Sequence, residues 1–412
     1  MIRYFKDITA ENPIKEVWKL LRFFRDVKFA SDQHRRILNI SEETYKQHKK
    51  YIEKQARQVG YCIRQAEEYF QASSQVGLAT RPNLLYYGAV SLSQALILLR
   101  QNGEYSLDAR RNNEKHNHHG LELKGLVKNF KGDDGTEAFF NSLQCNCFTK
   151  NGHGDKTPWG HFPLFYKSLL PGAIAIHKNI IDVGYQGRLQ TFDILDCADK
   201  LSLDALVEKN LNSLEILKTL PDMYFLLLQL GIKPELCQGS AESNLIREYK
   251  TDAQGEKHLD KFIVEYNFIL DGISPEQKAH FLKFYQENNP GINIIRDFGT
   301  NIFLSSKNEF ILNNNLTPIH YEEYYPDSVD DINDRKFYIV KPETYIPELA
   351  AYLILLFCLG MLCRYYPDIW MKVIDENVQI AELTDSLLNI VYRKFPNLIL
   401  DQMTETKHYV HS

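Results

Sequence analysis

Two long apolar segments constrain the fold of this chain more than any other feature. Residues 84–99 are apolar on nearly every side of a helix that opens at Pro82, because proline is tolerated in a first helical turn. A second apolar run covers residues 349–363 and is shorter than the roughly 20 residues that a bilayer span needs. A helix without a polar face has to be enclosed by protein. The two segments therefore predict a helical bundle with buried central helices.

The bulk composition is that of an ordinary globular protein. The chain has 412 residues, of which 44% are hydrophobic and 25% charged, and this length allows two or three cores. A net charge of -5 argues against a protein that coats nucleic acid by charge alone, although a local basic groove remains compatible with it. Seven scattered cysteines suit reduced thiols better than a disulfide framework. The N-terminal residues lack the apolar core of a signal peptide, so we expect a cytoplasmic protein without a membrane segment.

Hydrophobic patterning divides the chain into five predicted segments. Apolar residues alternate or cluster as in strands between residues 240 and 340, with a helix expected over residues 275–288. We therefore expect a mainly α fold with an α+β middle, in which the C-terminal helices pack back on the bundle. The predicted segments are an N-terminal segment (1–45), a helical bundle (46–125), a loop-rich and then helical region (126–235), an α+β region with strands (236–340) and a C-terminal helical segment (341–412).

Start and stop signals predict individual helices. Ser41 can cap a helix that runs until Gly60, and a second helix is expected over residues 62–72. Ser106 can cap a short helix that continues to Gly120, which would serve as its left-handed C-terminal residue. Helical character is also expected over residues 201–230 and 347–392.

Residues 110–120, called here the Arg/His segment, hold the candidate functional groups. They contain two arginines and three histidines. Histidine titrates near neutral pH and arginine stays cationic, so together they can move protons and hold phosphate oxygens. A second interpretation is structural, because histidines near a helix C-terminus complement its dipole and can bond its last carbonyls.

Three stretches of the chain resemble the YaaC-like family of bacterial proteins. The first joins QAEEYF at residues 65–70 to PNLLYYGA at residues 82–89 and to Leu96. The second is HGL at residues 119–121, and the third covers residues 353–370 and ends in RYYPDIW. The resemblance spans most of the chain apart from the middle, and it implies an architecture without a defined activity.

The Arg/His segment and the helix before it resemble a second family, the HEPN superfamily of helical bundles, which often act as metal-independent RNA nucleases. The signature of that superfamily is an arginine followed after about four to six residues by a histidine, often with a polar residue beside the arginine. Arg111, Asn112 and His116 fit it, while the pairs Arg110 with His116 and Arg111 with His118 fit it loosely. Residues 86–96 are similar to the central helix of such bundles.

The HEPN resemblance implies a metal-independent endoribonuclease that needs no cofactor. It makes His116 the base, Arg111 the phosphate clamp and Asn112 an orienting group, with His118 as the second candidate for the base. Binding roles are expected for Arg110, His119 and Arg364. The resemblance also implies RNA as a partner, a homodimer that assembles the site, and a role as an effector in bacterial stress or antiphage defence.

A different functional class competes with the nuclease. Bundles of this kind that lack nuclease activity also carry a histidine just after the central helix, so the match can be to the scaffold alone. The alternative is a non-catalytic binding or scaffold subunit of a multiprotein defence complex, which recruits a protein partner through the middle domain. Catalysis requires Arg111 and His116, or His118, to meet in one solvent-reachable groove.

A zinc site is not expected. Cys145 and Cys147, with His153 and His161, supply the ligand types that zinc prefers. Their spacing matches no standard zinc motif, and a single residue between the cysteines is tight for a tetrahedral site. We therefore expect no metal.

Overall fold

The chain forms two compact units. Unit 1 comprises residues 1–171, 200–234 and 346–412, and unit 2 comprises residues 172–199 and 235–345. The computed structural model describes residues 4–102, 105–124, 135–150, 156–170, 175–182, 188–196, 201–271, 279, 292–297, 302–311, 320–324, 336–340 and 346–411.

Unit 1 is mainly helical, as the apolar segments predict. Its first helices begin at side-chain caps, since the Asn12, Asp26 and Ser41 side chains each accept a bond from the backbone N–H three residues on. Its helices are α1 (Pro13–Arg22), α2 (Val27–Ile37), α3 (Glu42–Ser73), α4 (Arg81–Arg100), α5 (Leu107–Arg111), α6 (Gly135–Ser142), α7 (His161–Ser168), α8 (Leu203–Glu208), α9 (Ser213–Leu217), α10 (Tyr224–Gln229), α11 (Glu348–Tyr365), α12 (Pro367–Glu376) and α13 (Val378–Thr404).

Helix α3 is continuous, so the predicted interruption at Gly60 is wrong. Gly60 is buried, and a Cβ added there would lie 3.1 Å from the Cα of Arg25. The missing side chain thus lets the preceding turn, Phe23–Arg25, approach the helix closely. That tertiary contact outweighs the roughly 1 kcal/mol that glycine costs inside a helix.

Helices α4 and α11 form the centre of unit 1, as predicted from their uniform apolar surface. Leu92 and Leu96 of α4 and Leu356 of α11 are fully buried, and Gly360 of α11 packs against Tyr86. Both helices are long and apolar enough to cross a membrane by length and composition alone. In each of them, 72% of the relevant 18-residue window is buried inside the protein, which is the environment expected of core helices.

The C-terminal helices pack on the bundle formed by α3 and α4. Trp370 of α12 is fully buried and donates from Nε1 to the Leu78 carbonyl over 2.9 Å, and Arg81 at the start of α4 pairs with Asp385 of α13 over 2.8 Å. Helical structure continues to Thr404, beyond the predicted end at residue 392.

Two small sheets complete unit 1. Strand β1 (Tyr4–Thr9) pairs in parallel with the C-terminal strand β13 (Thr406–His411). A three-stranded antiparallel sheet has the order β2 (Leu121–Lys124), β3 (Gln144–Cys147) and β6 (Leu211–Asn212). Strand β2 directly follows the Arg/His segment and fixes its C-terminal end.

Unit 2 holds the strands predicted for the middle of the chain. Strands β7 (Leu236–Thr251) and β8 (Lys257–Asp271) form a hairpin, whose turn is stabilised by the Asp252 side chain accepting from two backbone N–H groups. With β9 (Ile292–Asp297), β10 (Ile302–Ile311) and β12 (Lys336–Val340), they form a sheet of order β12-β7-β8-β10-β9.

A second sheet of unit 2 has the order β11-β4-β5. It joins β11 (His320–Tyr324) to β4 (Ala175–Asp182) and β5 (Arg188–Asp196). Strands β4 and β5 come from the segment 126–235, for which the sequence patterns predict loops and then helices. The helix predicted over residues 275–288 lies, apart from residue 279, outside the described residues.

Candidate functional site

The Arg/His segment is a short helix followed by a loop. Ser106 caps α5 as predicted, accepting from the backbone N–H of Ala109 over 3.4 Å. The helix ends at Arg111, however, so the predicted continuation to Gly120 is wrong. Asn113 starts a turn instead, because its side chain accepts from the backbone N–H of Lys115 over 2.9 Å. Gly120 has the predicted positive φ of 84°, but it leads into β2 and does not end a helix.

Backbone bonds attach this loop to the start of α7. The amides of Gly160, His161 and Phe162 donate to the carbonyls of residues 115, 118 and 119, over 2.7, 2.8 and 3.0 Å. Gly160 has a φ of 106°, and a Cβ there would lie 2.5 Å from the Cα of Gly120. Two glycines thus let the loop and the helix approach closely, and the loop carbonyls satisfy the amides at this helix start.

The Arg/His cavity, as we call it, lies beside this loop in unit 1. Its volume is about 620 Å³, within the range of small-molecule sites. Helices α3 and α4 form one side of it, and α5, the loop and the first residue of α7 form the other. It is lined by Gln65, Tyr69, Tyr87, Val90, Ser91, Gln94, Leu107, Arg110, Arg111, His116, Asn117, His118, His119 and His161.

A chain of hydrogen bonds runs from Arg110 into α4. Arg110 Nη2 lies 2.7 Å from His161 Nδ1, and His161 Nε2 lies 2.6 Å from Ser93 Oγ. Because a guanidinium can only donate, Nδ1 must accept and the His161 proton is on Nε2. That proton is donated to Ser93, whose hydroxyl then donates to the Val90 carbonyl over 2.8 Å. This arrangement requires a neutral His161.

Burial also favours the neutral form of His161. Its ring is 6% exposed and stacks on Phe165. Burial, reinforced by the charges of Arg110 and His119, lowers its pKa well below the usual value. His161 is therefore an uncharged group that orients Arg110.

Arg110 is a buried cation without a carboxylate partner among the residues that the structure describes. Its side chain is 5% exposed, and its Nε and Nη1 atoms have no hydrogen-bond partner there. Burial lowers its pKa to about 10, so it stays charged at neutral pH. The Cys62 thiol lies close enough to interact with this charge. Burial raises the pKa of that thiol to about 12, which leaves it uncharged.

His116 lines the same cavity as a neutral imidazole. Its ring stacks on Tyr105 with centroids 5.4 Å apart, and its Nδ1 atom has no partner in the described part of the chain. Burial, together with the charge of Arg110, lowers its pKa below the usual value. The free base is therefore its main form at neutral pH.

The other two histidines of the loop also line the cavity, and His119 contacts Phe357 of α11. His118 is exposed and its ring contacts Phe148, with centroids 5.0 Å apart. His119 Nδ1 and the Tyr86 hydroxyl are hydrogen-bonded over 2.9 Å, and burial raises the pKa of Tyr86, which keeps this hydroxyl protonated. Burial and the nearby Arg364 lower the pKa of His119.

The remaining three predicted site residues, Arg111, Asn112 and Arg364, are exposed, as His118 and His119 are. Arg111 is 76% exposed and pairs with Asp108 over 2.9 Å, while still lining the cavity. Asn112 is exposed and does not belong to the cavity lining. Arg364 donates to the Tyr87 hydroxyl, and so it contacts a residue that does line the cavity.

The residues that sequence patterns missed are His161, which bonds Arg110, and Ser93, which bonds His161. A serine inside an apolar helix was the available signal for Ser93. His161 was considered only as a zinc ligand, beside Cys145, Cys147 and His153. Burial raises the pKa of Cys147 to about 12, and His153 lies outside the described residues. Among the residues that are described, no group of three His, Cys, Asp or Glu side chains is placed to hold a metal.

Comparisons with known proteins give a family and no further relative. No curated protein and no solved structure matches the chain. The family model described as "YaaC-like Protein" matches residues 24–403, a span that includes all of the helices lining the Arg/His cavity. The chain belongs to the YaaC-like protein family.

Proposed function

We propose that the Arg/His cavity is the active site of a metal-independent endoribonuclease. The observation that carries the proposal is a neutral His116, whose Nδ1 has no hydrogen-bond partner among the described residues, in the same cavity as Arg110 and Arg111. Metal-free RNA cleavage needs a base for the ribose 2′-hydroxyl and cations for the crowded phosphate. The HEPN-like spacing of Arg111 and His116 supports the same proposal.

In the proposed reaction, His116 removes the proton of the 2′-hydroxyl. The 2′-oxygen then attacks the adjacent phosphorus, so that an O2′–P bond forms and the P–O5′ bond breaks. His118, exposed at the same cavity, delivers a proton to the leaving 5′-oxygen. The products are a 2′,3′-cyclic phosphate and a 5′-hydroxyl.

The arginines stabilise the charge that develops on the phosphate during this attack. Arg111 is exposed at the cavity, where it can reach a bound strand, while Arg110 is held by His161. An oriented cation stabilises a developing charge without reorganising during the reaction. RNA is the partner in this proposal, and the HEPN resemblance adds a second copy of the chain facing the first, in bacterial stress or antiphage defence.

The test is cleavage of labelled tRNA by the purified protein in EDTA. Wild type should produce fragments with 5′-hydroxyl ends. His116→Ala should cut at least about 100-fold more slowly, in line with the usual contribution of a general base, and Arg111→Ala should also lose activity. His48→Ala and Arg57→Ala, which change exposed residues of α3 outside this cavity, should cut as wild type does.

Two results would favour the alternative, a non-catalytic binding or scaffold subunit. One is a wild-type protein that leaves tRNA intact with or without a partner. The other is cleavage that persists in His116→Ala and Arg111→Ala, because the activity would then arise elsewhere or from a contaminant.

A further inference from the structure

We propose that Arg110 is a preorganised receptor for the phosphate group of a nucleotide and that the neutral pair His161 and Ser93 holds it in position. The inference deepens the proposed function, on whose choice of substrate class it rests, by naming the group that holds a phosphate before any bond is cut. It differs from the motif-based view, in which the exposed Arg111 is the phosphate clamp.

The first argument is charge. Arg110 is 95% buried, since its exposed fraction is 5%, and an unpaired buried cation costs several kcal/mol in real proteins. The nearby carboxylate of Asp108 is bonded to Arg111, Lys54 and Gln58. The Cys62 thiol is uncharged at neutral pH. None of the described residues therefore balances the charge of Arg110, and this charge is open to an anion that enters the cavity.

The second argument is orientation. A flexible arginine would turn toward solvent, but His161 accepts from Nη2 and is itself held by Ser93. The imidazole does not neutralise the charge of Arg110, because it is itself uncharged and burial lowers its pKa. Nε and Nη1 remain as donors without partners in the part of the chain that the structure describes. The protein thus fixes a cation at the cavity wall with unused hydrogen-bond donors, which is what an oxyanion receptor requires.

The third argument is the rest of the cavity wall. Tyr69 and Tyr87 line it and stack on each other with centroids 5.8 Å apart, giving an aromatic surface against which a base can lie. Gln65 and Gln94 add amide groups that can bond the edge of a base. A volume of about 620 Å³ accommodates a mononucleotide. A phosphate joined to a base fits this combination better than a free inorganic anion does.

The test is equilibrium binding of adenosine 5′-monophosphate to the full chain in EDTA, by calorimetry. This ligand has no 3′-phosphodiester, so binding is measured where the proposed cleavage cannot occur. Wild type should bind it, and Arg110→Met should bind at least about 10-fold more weakly, because a hydrogen bond to a charged group contributes more than a neutral one. Arg57→Met, the matched change of an exposed arginine on α3, should bind as wild type.

Two variants of His161 separate positioning from folding. His161→Asn retains an acceptor for Arg110 and should retain most of the affinity. His161→Leu keeps the arginine but removes the acceptor, and it should weaken binding as Arg110→Met does while its circular dichroism stays native. If His161→Leu binds as well as wild type, the positioning role is excluded.

The remaining outcomes distinguish the ligand and the two proposals. Inorganic phosphate that binds as tightly as the nucleotide would overturn the nucleotide assignment. Absence of nucleotide binding at millimolar concentration, or equal affinity in wild type and Arg110→Met, would overturn the receptor even if tRNA is cut. Nucleotide binding without tRNA cleavage would leave the receptor in place and overturn the nuclease.

Discussion

Lys394 and Arg110 are buried cations of unit 1 that lie in opposite electrostatic environments. Lys394 of α13 is fully buried, and its Nζ lies 2.5 Å from Asp222 and 2.8 Å from Glu348. Arg110 is almost as buried but contacts only the neutral His161 among the described residues. Two carboxylates surround the ammonium group of Lys394, whereas none of the described carboxylates pairs with Arg110.

The difference indicates two different uses of buried charge. The Tyr352 hydroxyl also bonds the carboxylates around Lys394, so this cluster joins α13 to the start of α11 and to the turn at Asp222. None of the residues of this cluster lines the Arg/His cavity. Arg110 does line that cavity and joins no helices through an ion pair. A paired buried charge holds the fold together, whereas an unpaired one at a cavity is available to a ligand.

The largest effect is expected from removing the paired cation. Lys394→Met should lower the free energy of unfolding by about 3–5 kcal/mol, because it leaves Asp222 and Glu348 buried and facing each other without a cation. Burial already raises the pKa of Asp222. Urea unfolding at neutral pH, followed by circular dichroism, measures the change, and Lys372→Met on the exposed side of α12 is the control.

The variant Arg110→Met tests whether Arg110 stabilises the fold as Lys394 does. It removes a donor from His161, which costs about 1–3 kcal/mol, but it also removes the desolvation cost of an unpaired charge. We therefore expect it to lower the free energy of unfolding by at most about 1 kcal/mol. A loss as large as that of Lys394→Met would mean that Arg110 is a structural cation like Lys394.

Sequence patterns predict the architecture of unit 1 better than its site. The burial of α4 and α11 follows from their apolar surface, and the strands of the middle region follow from alternation. The continuity of α3 does not, because it depends on the contact of Gly60 with a turn far away in sequence. Local patterns evaluate one helix at a time, so they cannot include such a contact.

The choice between Arg110 and Arg111 shows the same limit within the site. The HEPN-like spacing selects Arg111, which the structure places at the surface. Leu107 packs against the core and lies three residues before Arg110, so helical spacing was a signal that Arg110 faces inward. The contact with His161, 51 residues later, was not readable, because it depends on how α7 folds against the loop.

The third prediction concerns the dependence of stability on pH. The pKa of His161 is lowered in the folded protein, so below the unfolded value of about 6.5 the unfolded chain binds the additional proton. Stability should therefore be retained above that pH and lost as pH falls below it, by up to about 1.4 kcal/mol per pH unit for this histidine. Urea unfolding of wild type at several pH values between neutrality and 5 measures the slope.

A matched variant isolates His161 in that experiment, since His34, His116 and His119 also have lowered pKa values and act in the same direction. His161→Asn keeps the acceptor for Arg110 but does not titrate. Its stability should fall less steeply with acid than that of wild type. If the stability of the two proteins falls equally steeply with acid, the Arg110–His161 contact does not control the protonation of His161.

The smallest effect on stability is expected from Arg111→Gln. The side chain is 76% exposed, and exposed ion pairs contribute little because water and salt screen them. Asp108 also keeps its bond with Lys54. We expect the urea midpoint to stay at the wild-type value while tRNA cleavage falls, whereas Arg110→Met should reduce nucleotide binding as well. If Arg111→Gln abolished nucleotide binding and Arg110→Met did not, the exposed arginine would be the receptor, and the unpaired charge of Arg110 would need a different explanation.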